Sequence, residues 1–207
     1  MISNFKFQIS NSQNGYSLIE LVVVLAIFLI ILTASINVLI AVVQDQKRTL
    51  ENQELLNQSS YVMEYMSKAL KSAVQDPTGW CLGTTGYVYL LTHCNNGTQE
   101  ACNGIKFINQ SDGNACQEFF LDDSVNILNP PLREVKTGGY AKNLLSEKFK
   151  VKYGRFIING DRALHVASTN DLIQPRVSIL LDVLNSKNEA EKIIQTTVSL
   201  GNLIEGE

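Results

Sequence analysis

Hydrophobic and polar positions divide the chain into three regimes. From Leu21 to Val43 no residue is charged, and only Thr33, Ser35 and Asn37 are polar. About 20 apolar residues cross the hydrocarbon core of a bilayer, so this run predicts a membrane-spanning helix. Residues 44–54 (QDQKRTLENQE) are then polar except for Leu50, which fits a solvated neck or a contact between neighbouring subunits. Beyond the neck, apolar residues return at Leu55, Val62, Met66, Ala69 and Ala73, with Leu56, Met63 and Leu70 beside them. These spacings describe one helix face packed on a folded domain. Tyr61, Tyr65 and the methionines fit the core or rim of that packing. No proline precedes Pro77. One helix from about Ser17 to Val74 is therefore predicted, roughly 87 Å long, with its second half outside the bilayer.

After Pro77 the pattern shortens. Strand-like runs are Tyr87–Thr92, Ile105–Ile108, Glu118–Leu121, Lys148–Tyr153, Phe156–Ile158, Arg176–Val183 and Ile193–Leu200. Turn signals are Asn96-Gly97, Asn103-Gly104, Asp112-Gly113, Gly138-Gly139 and Asn159-Gly160. Short separations and Gly-centred turns favour hairpins over βαβ units. The predicted class is α+β: a long N-terminal α-helix, membrane-spanning and then amphipathic, packed on an antiparallel β-sheet head.

Composition changes this picture little. The chain has 207 residues and a net charge of −3, which gives no general electrostatic footprint for nucleic acid. Cysteine changes it more. Cys81, Cys94, Cys102 and Cys116 follow the apolar run, and no C-x-x-C pair suggests zinc. An even set of four points to two disulfides in an oxidising compartment. Three connectivities are open. Cys94–Cys102 would close a short turn rich in Asn and Gly, leaving Cys81 with Cys116.

The N-terminal flank carries the specific signal. Residues 1–15 are polar apart from scattered apolar positions, with Lys6 the one charge, and Gly15-Tyr16-Ser17-Leu18-Ile19-Glu20 leads into the apolar run. The run is too long for a secretory signal and no A-x-A site follows it. Glu20 is an ionisable group at the membrane edge, where such groups usually have a partner. Ser17-x-x-Glu20 is also a capping box, worth about 1 kcal/mol. The stretch Gly15–Ile27 closely resembles the cleavage and methylation motif of type IV prepilins and type II secretion pseudopilins. The resemblance implies cleavage between Gly15 and Tyr16 by a membrane prepilin peptidase and methylation of the new amine. It also implies that Glu20 neutralises the amine of a neighbouring subunit. Tyr16 stands where the family usually has Phe. Gln174–Val183 and Ile194–Leu200 are similar to the last two strands of J-type pseudopilins and W-type minor pilins, and Tyr65–Ala73 resembles the entry to a minor-pilin head.

Little else suggests chemistry. His93 and His165 have no ligand-like neighbours in sequence and read as structural. Asp122-Asp123 lacks the alternating oxygens of a calcium loop. No phosphate-binding or nucleophile-elbow motif occurs. No cofactor, metal site or enzymatic activity is expected. Lys148, Lys150 and Lys152 alternate with Phe149, Val151 and Tyr153, which would put the lysines on one strand face. That face fits a solvated or protected sheet edge, or else a contact with DNA or another anionic ligand.

The resemblance implies the pilin fold and four regions: a leader at 1–15, a membrane and filament-core helix at 16–43, a neck with amphipathic helix at 44–76, and a β-rich head at 77–207. It implies a minor pilin or pseudopilin of an initiation or tip complex. Its partners would be the prepilin peptidase, other pilins and the cytoplasmic membrane, with the head outside the cytoplasm. The competing readings are a filament-tip module that binds DNA or a surface ligand, and an unprocessed single-pass anchored domain.

Overall fold

The computed structural model describes residues 15, 17–94, 102–126, 128–160, 174–185 and 190–201. Tyr16, the Asn96-Gly97 turn and His165 lie outside the described residues. Contacts divide the chain into two compact units, Met1–Lys47 and Arg48–Glu207.

In the first unit, helix α1 (Leu18–Lys71) begins. The Ser17 carbonyl accepts from the amides of Glu20 and Leu21, which forms the first turn. Glu20 lies in that turn, where a negative charge complements the helix dipole. The apolar side chains from Leu18 to Val43 are all exposed. Such a continuous apolar surface is far larger than a soluble monomer leaves uncovered.

The second unit is a helix packed against antiparallel sheet. Along α1 the buried positions are Leu55, Ser59, Val62, Met63, Met66, Ala69 and Leu70. Ser59 completes the helical stripe that the apolar residues alone leave broken. Leu56, expected on this face, is exposed instead, because it falls off the stripe by one position. The helix stops at Lys71, short of the expected Val74, and Ala73–Val74 becomes strand β1. No glycine ends it. Partners from elsewhere capture its last carbonyls: Tyr89 Oη donates to Leu70 O, the Gly201 amide to Lys71 O, and the Gln110 amide to Ser72 O. A Cβ at Gly201 would lie 2.8 Å from Lys71 O, so this cap requires glycine.

Among the described residues the head has two sheets where one was expected. The first contains β1, β2 (Tyr89–Cys94), β3 (Cys102–Asn109), β4 (Ala115–Leu121), β5 (Leu132–Lys136) and β6 (Lys142–Asn143). β1 and β2 lie end to end along one edge of β3, and β4, β5 and β6 follow on the other. The second contains β7 (Phe149–Asn159), β8 (Arg176–Asn185) and β9 (Glu191–Ser199), in that order. Both sheets and α1 share one hydrophobic core.

Three local expectations fail, two for steric reasons and one through a register shift. Asn103-Gly104 is not a turn but lies inside β3. A Cβ at Gly104 would meet Thr92 Oγ1 at 2.3 Å and the His93 ring at 2.9 Å. Two separate strands expected across 148–158 are one, β7, because Gly154 serves close packing and not a break. A Cβ there would lie 2.6 Å from Leu121 Cδ1. A bulge between Val151 and Tyr153 shifts the alternation, so Tyr153 is exposed and does not share the buried side of Phe149 and Val151. Strands β1, β5 and β6 carry no alternating apolar signal and were not expected.

Two disulfides are present, Cys81–Cys116 and Cys94–Cys102. The second joins directly opposed residues of β2 and β3. The first ties the loop after β1 to β4 across 35 residues, against 8 for the second. Loop-closure entropy then assigns about 4 kcal/mol to Cys81–Cys116 and about 2.5 kcal/mol to Cys94–Cys102. Urea unfolding of the two double Cys→Ser variants should therefore show the larger loss for the Cys81/Cys116 pair.

Candidate functional site

The N-terminal segment is the first candidate. Gly15 is exposed, and a Cβ added there would meet nothing within 4 Å. Its φ is not in the left-handed region that favours glycine. Among the described residues, nothing therefore places a steric demand for glycine at position 15. Three residues later α1 starts, with Glu20 exposed in its first turn. Among the described residues, one helix is long and apolar enough to cross a membrane, and its most apolar window is entirely unburied.

The head contains a buried polar ladder that joins helix to sheet. Tyr65 Oη donates to Glu134 Oε1 at 2.6 Å, and Gln117 Nε2 donates to the same oxygen. Asn109 Nδ2 donates to Gln117 Oε1 at 2.7 Å, and Ser72 Oγ donates to Asn109 Oδ1 at 2.6 Å. The line crosses β3, β4 and β5, meeting α1 through Tyr65 at one end and Ser72, the residue just after α1, at the other. Tyr65 also packs edge-on against Phe119, with ring centroids 6.0 Å apart. Burial, then the Glu134 carboxylate, raises the Tyr65 pKa, which keeps its proton in place to donate. Lys136 approaches Glu134 at 3.5 Å and supplies the compensating charge. A satisfied ladder of this kind fixes the register of helix on sheet. Tyr65→Phe should lower stability by about 1–2 kcal/mol in thermal unfolding, because it strands part of the Glu134 carboxylate.

A second buried carboxylate organises the loop after β1. Asp76 is fully buried. Its Oδ1 accepts from the amides of Thr78 and Gly79, and its Oδ2 from those of Cys81 and Leu82. Burial pushes this carboxyl up, but the four N–H donors outweigh it and hold the pKa below the ordinary Asp value. Sequence reading missed Asp76. Its signal was Asp76-Pro77-Thr78-Gly79, an Asp followed by turn residues, where the side chain commonly caps backbone amides. The ladder gave no comparable signal, since Asn109, Gln117 and Glu134 look like solvent-facing strand residues.

The remaining candidates have ordinary partners. His93 sits at φ 52, stacks on Phe120 at 4.6 Å and lies 3.3 Å from Glu118. Asp122 pairs with Arg133 and hydrogen-bonds Ser124, and Asp123 accepts from Asn103. Among the described residues no three His, Cys, Asp or Glu side chains come together to hold a metal. The three lysines are separated in role. Lys148, in the turn before β7, pairs with Glu54 of α1 at 3.0 Å. Lys152, at the bulge, pairs with Glu191 of β9 at 2.7 Å. Lys150 lines a cleft of about 260 Å³ with Arg133, Asn143, Glu147 and Phe149. Two of the three charges are thus directed at carboxylates of the same chain, Glu54 on α1 and Glu191 on β9.

Comparison with known proteins adds one match. The prokaryotic N-terminal methylation motif matches residues 10–36. No curated protein and no solved structure matches the chain. The chain therefore carries an N-terminal methylation motif typical of type IV pilins and pseudopilins, ahead of an α+β architecture consistent with theirs.

Proposed function

We propose that the chain is a minor pilin or pseudopilin, a non-enzymatic structural subunit of a type IV pilus or type II secretion pseudopilus. The observation that carries this reading is a coincidence of position. The methylation motif overlaps the start of an uncovered apolar helix, and a single acid, Glu20, sits in that helix's first turn. Residues 1–15 act as leader, 16–43 as membrane and filament-core helix, 44–76 as neck and amphipathic helix, and 77–207 as head.

The chemistry follows from these groups. No described residue crowds Gly15, and its lack of a side chain suits entry into a narrow subsite of the prepilin peptidase. Cleavage frees the amine of Tyr16. Helices Leu18–Val43 of neighbouring subunits then pack together, and Glu20 of one neutralises the amine of another. Apolar packing supplies the assembly energy and the ion pair supplies the register, since a misaligned pair leaves a charge buried alone. The two disulfides fit a head outside the cytoplasm. Lys148 and Lys152, engaged by Glu54 and Glu191, make the head a poor general anion site.

The test is fractionation of cells that make the chain with its filament partners. The reading expects the chain in the filament fraction at a small fraction of the major subunit, and fewer filaments when it is deleted. A chain confined to the membrane pool, with filament number unchanged by its deletion, overturns it.

A further inference from the structure

Two buried side-chain atoms on one face of the β7–β8–β9 sheet have no hydrogen-bond partner: Arg155 Nε and Asp182 Oδ1. Strand register fixes their positions. Across β7 and β8, Arg155 opposes Leu180 and Tyr153 opposes Asp182; across β8 and β9, Leu180 opposes Gln195 and Asp182 opposes Ile193. Gly154, Phe156, Ile179 and Leu181 point into the core, so the alternating residues Tyr153, Arg155, Leu180 and Asp182 share the outward face. Arg155 and Asp182 are diagonal neighbours there, and no ion pair joins them. Asp182 is only 9% exposed, while the side chains flanking it, Tyr153 and Ile193, are 48% and 71% exposed. Beside it Asp182 meets the Glu191 carboxylate, and Lys152, the cation between these two acids, is held by Glu191. The face therefore combines exposed apolar groups with one guanidinium, Arg155, whose Nε lacks a bond, and two neighbouring carboxylates, Asp182 and Glu191, that share Lys152 and leave Asp182 Oδ1 without a bond. Buried charged atoms left in that condition are costly.

We propose that this outward face is a contact between two copies of the chain, in which each Arg155 pairs with the partner's Asp182. Arg155 and Asp182 at diagonal positions, with Lys152 already taken by Glu191, form a self-complementary pair, as a two-fold contact requires. A two-fold axis lying in the contact plane and bisecting the Arg155–Asp182 diagonal creates both ion pairs at once. The same axis passes near Tyr153 and Leu180, which then pack beside their own counterparts, with Ile157 and Ile193 at the flanks. Tyr153 and Ile193 are surface side chains that can turn aside as the opposing guanidinium arrives. This inference does not depend on leader cleavage or on filament assembly.

The experiment is sedimentation velocity of the full chain in detergent micelles over a concentration series. Three variants are compared: Arg155→Glu, Asp182→Arg and Tyr153→Glu, with circular dichroism to check the fold. Wild type is expected to dimerise, and each variant to weaken dimerisation at least tenfold. An equimolar mixture of Arg155→Glu and Asp182→Arg should restore the dimer, because one variant presents two acidic positions and the other two basic ones. Tyr153→Glu alters an exposed residue and keeps the test decisive if a charge reversal fails to fold. A monomeric wild type, or a Tyr153→Glu chain that dimerises as wild type does, overturns the proposal. So does a mixture of folded charge variants that stays monomeric.

Discussion

Glu20→Ala should leave the head folded and the helix in the membrane, yet remove the chain from filaments. The reason lies in what remains after the substitution. The amine of Tyr16 would still enter an apolar helix bundle, now without its carboxylate. Breaking a buried ion pair from one side costs about 3–5 kcal/mol. At about 1.4 kcal/mol per tenfold, recovery in the filament fraction should fall roughly 100-fold or more relative to the membrane pool. Capping at Ser17 cannot produce so large an effect, because a lost helix cap costs only about 1 kcal/mol. Glu20→Gln separates the two contributions: it keeps a hydrogen-bonding side chain but not the charge, and it should fail nearly as badly. Unchanged recovery of Glu20→Ala would reduce Glu20 to a residue of the first helical turn.

Asp76→Ala should be the most damaging single change in the second unit. It leaves four amides, from Thr78, Gly79, Cys81 and Leu82, without their acceptor in a buried loop. Partial rehydration offsets some of the cost, and a loss of about 4 kcal/mol is expected in urea unfolding. The same carboxylate gives an acid limit. Its folded pKa lies below the unfolded value of about 3.9. Its contribution is therefore complete above that value and is lost as pH falls through the folded pKa. Wild-type stability should fall below about pH 4, and Asp76→Asn should be weaker at neutral pH but less sensitive to acid. The Cys81–Cys116 bridge holds the same loop, so the two losses should not add.

Long-period features of this protein were legible from residue order, and close approaches were not. The charge-free run Leu21–Val43 and the stripe through Leu55, Val62 and Met66 depend only on helical spacing. Helix and burial follow from them. The strands at Arg176 and Glu191 likewise announce themselves by β-branched and apolar content. The end of α1 was hidden because its last carbonyls are capped by Tyr89 and Gly201, and that of the next residue, Ser72, by Gln110, all remote in sequence. Gly104 and Gly154 misled for a related reason. Each looks like a turn or break, yet each is a strand residue whose missing side chain makes room for Thr92 or Leu121. The polar ladder was equally invisible, because Asn109, Gln117 and Glu134 become a connected line only once three strands are in register. At the N-terminus the balance is reversed. The Gly15–Glu20 motif is plain in the sequence, while none of the described residues makes steric use of the glycine at position 15.

The most direct test of the account is the intact mass of the chain co-expressed with an active prepilin peptidase, beside Gly15→Val. The account predicts a wild-type mass that begins at Tyr16 and carries one added methyl group, and a full-length mass for Gly15→Val. A full-length mass for both, with the peptidase active on a control substrate, would contradict it. The chain would then be a membrane-anchored domain, and the roles given to Gly15, Tyr16 and Glu20 would fall together.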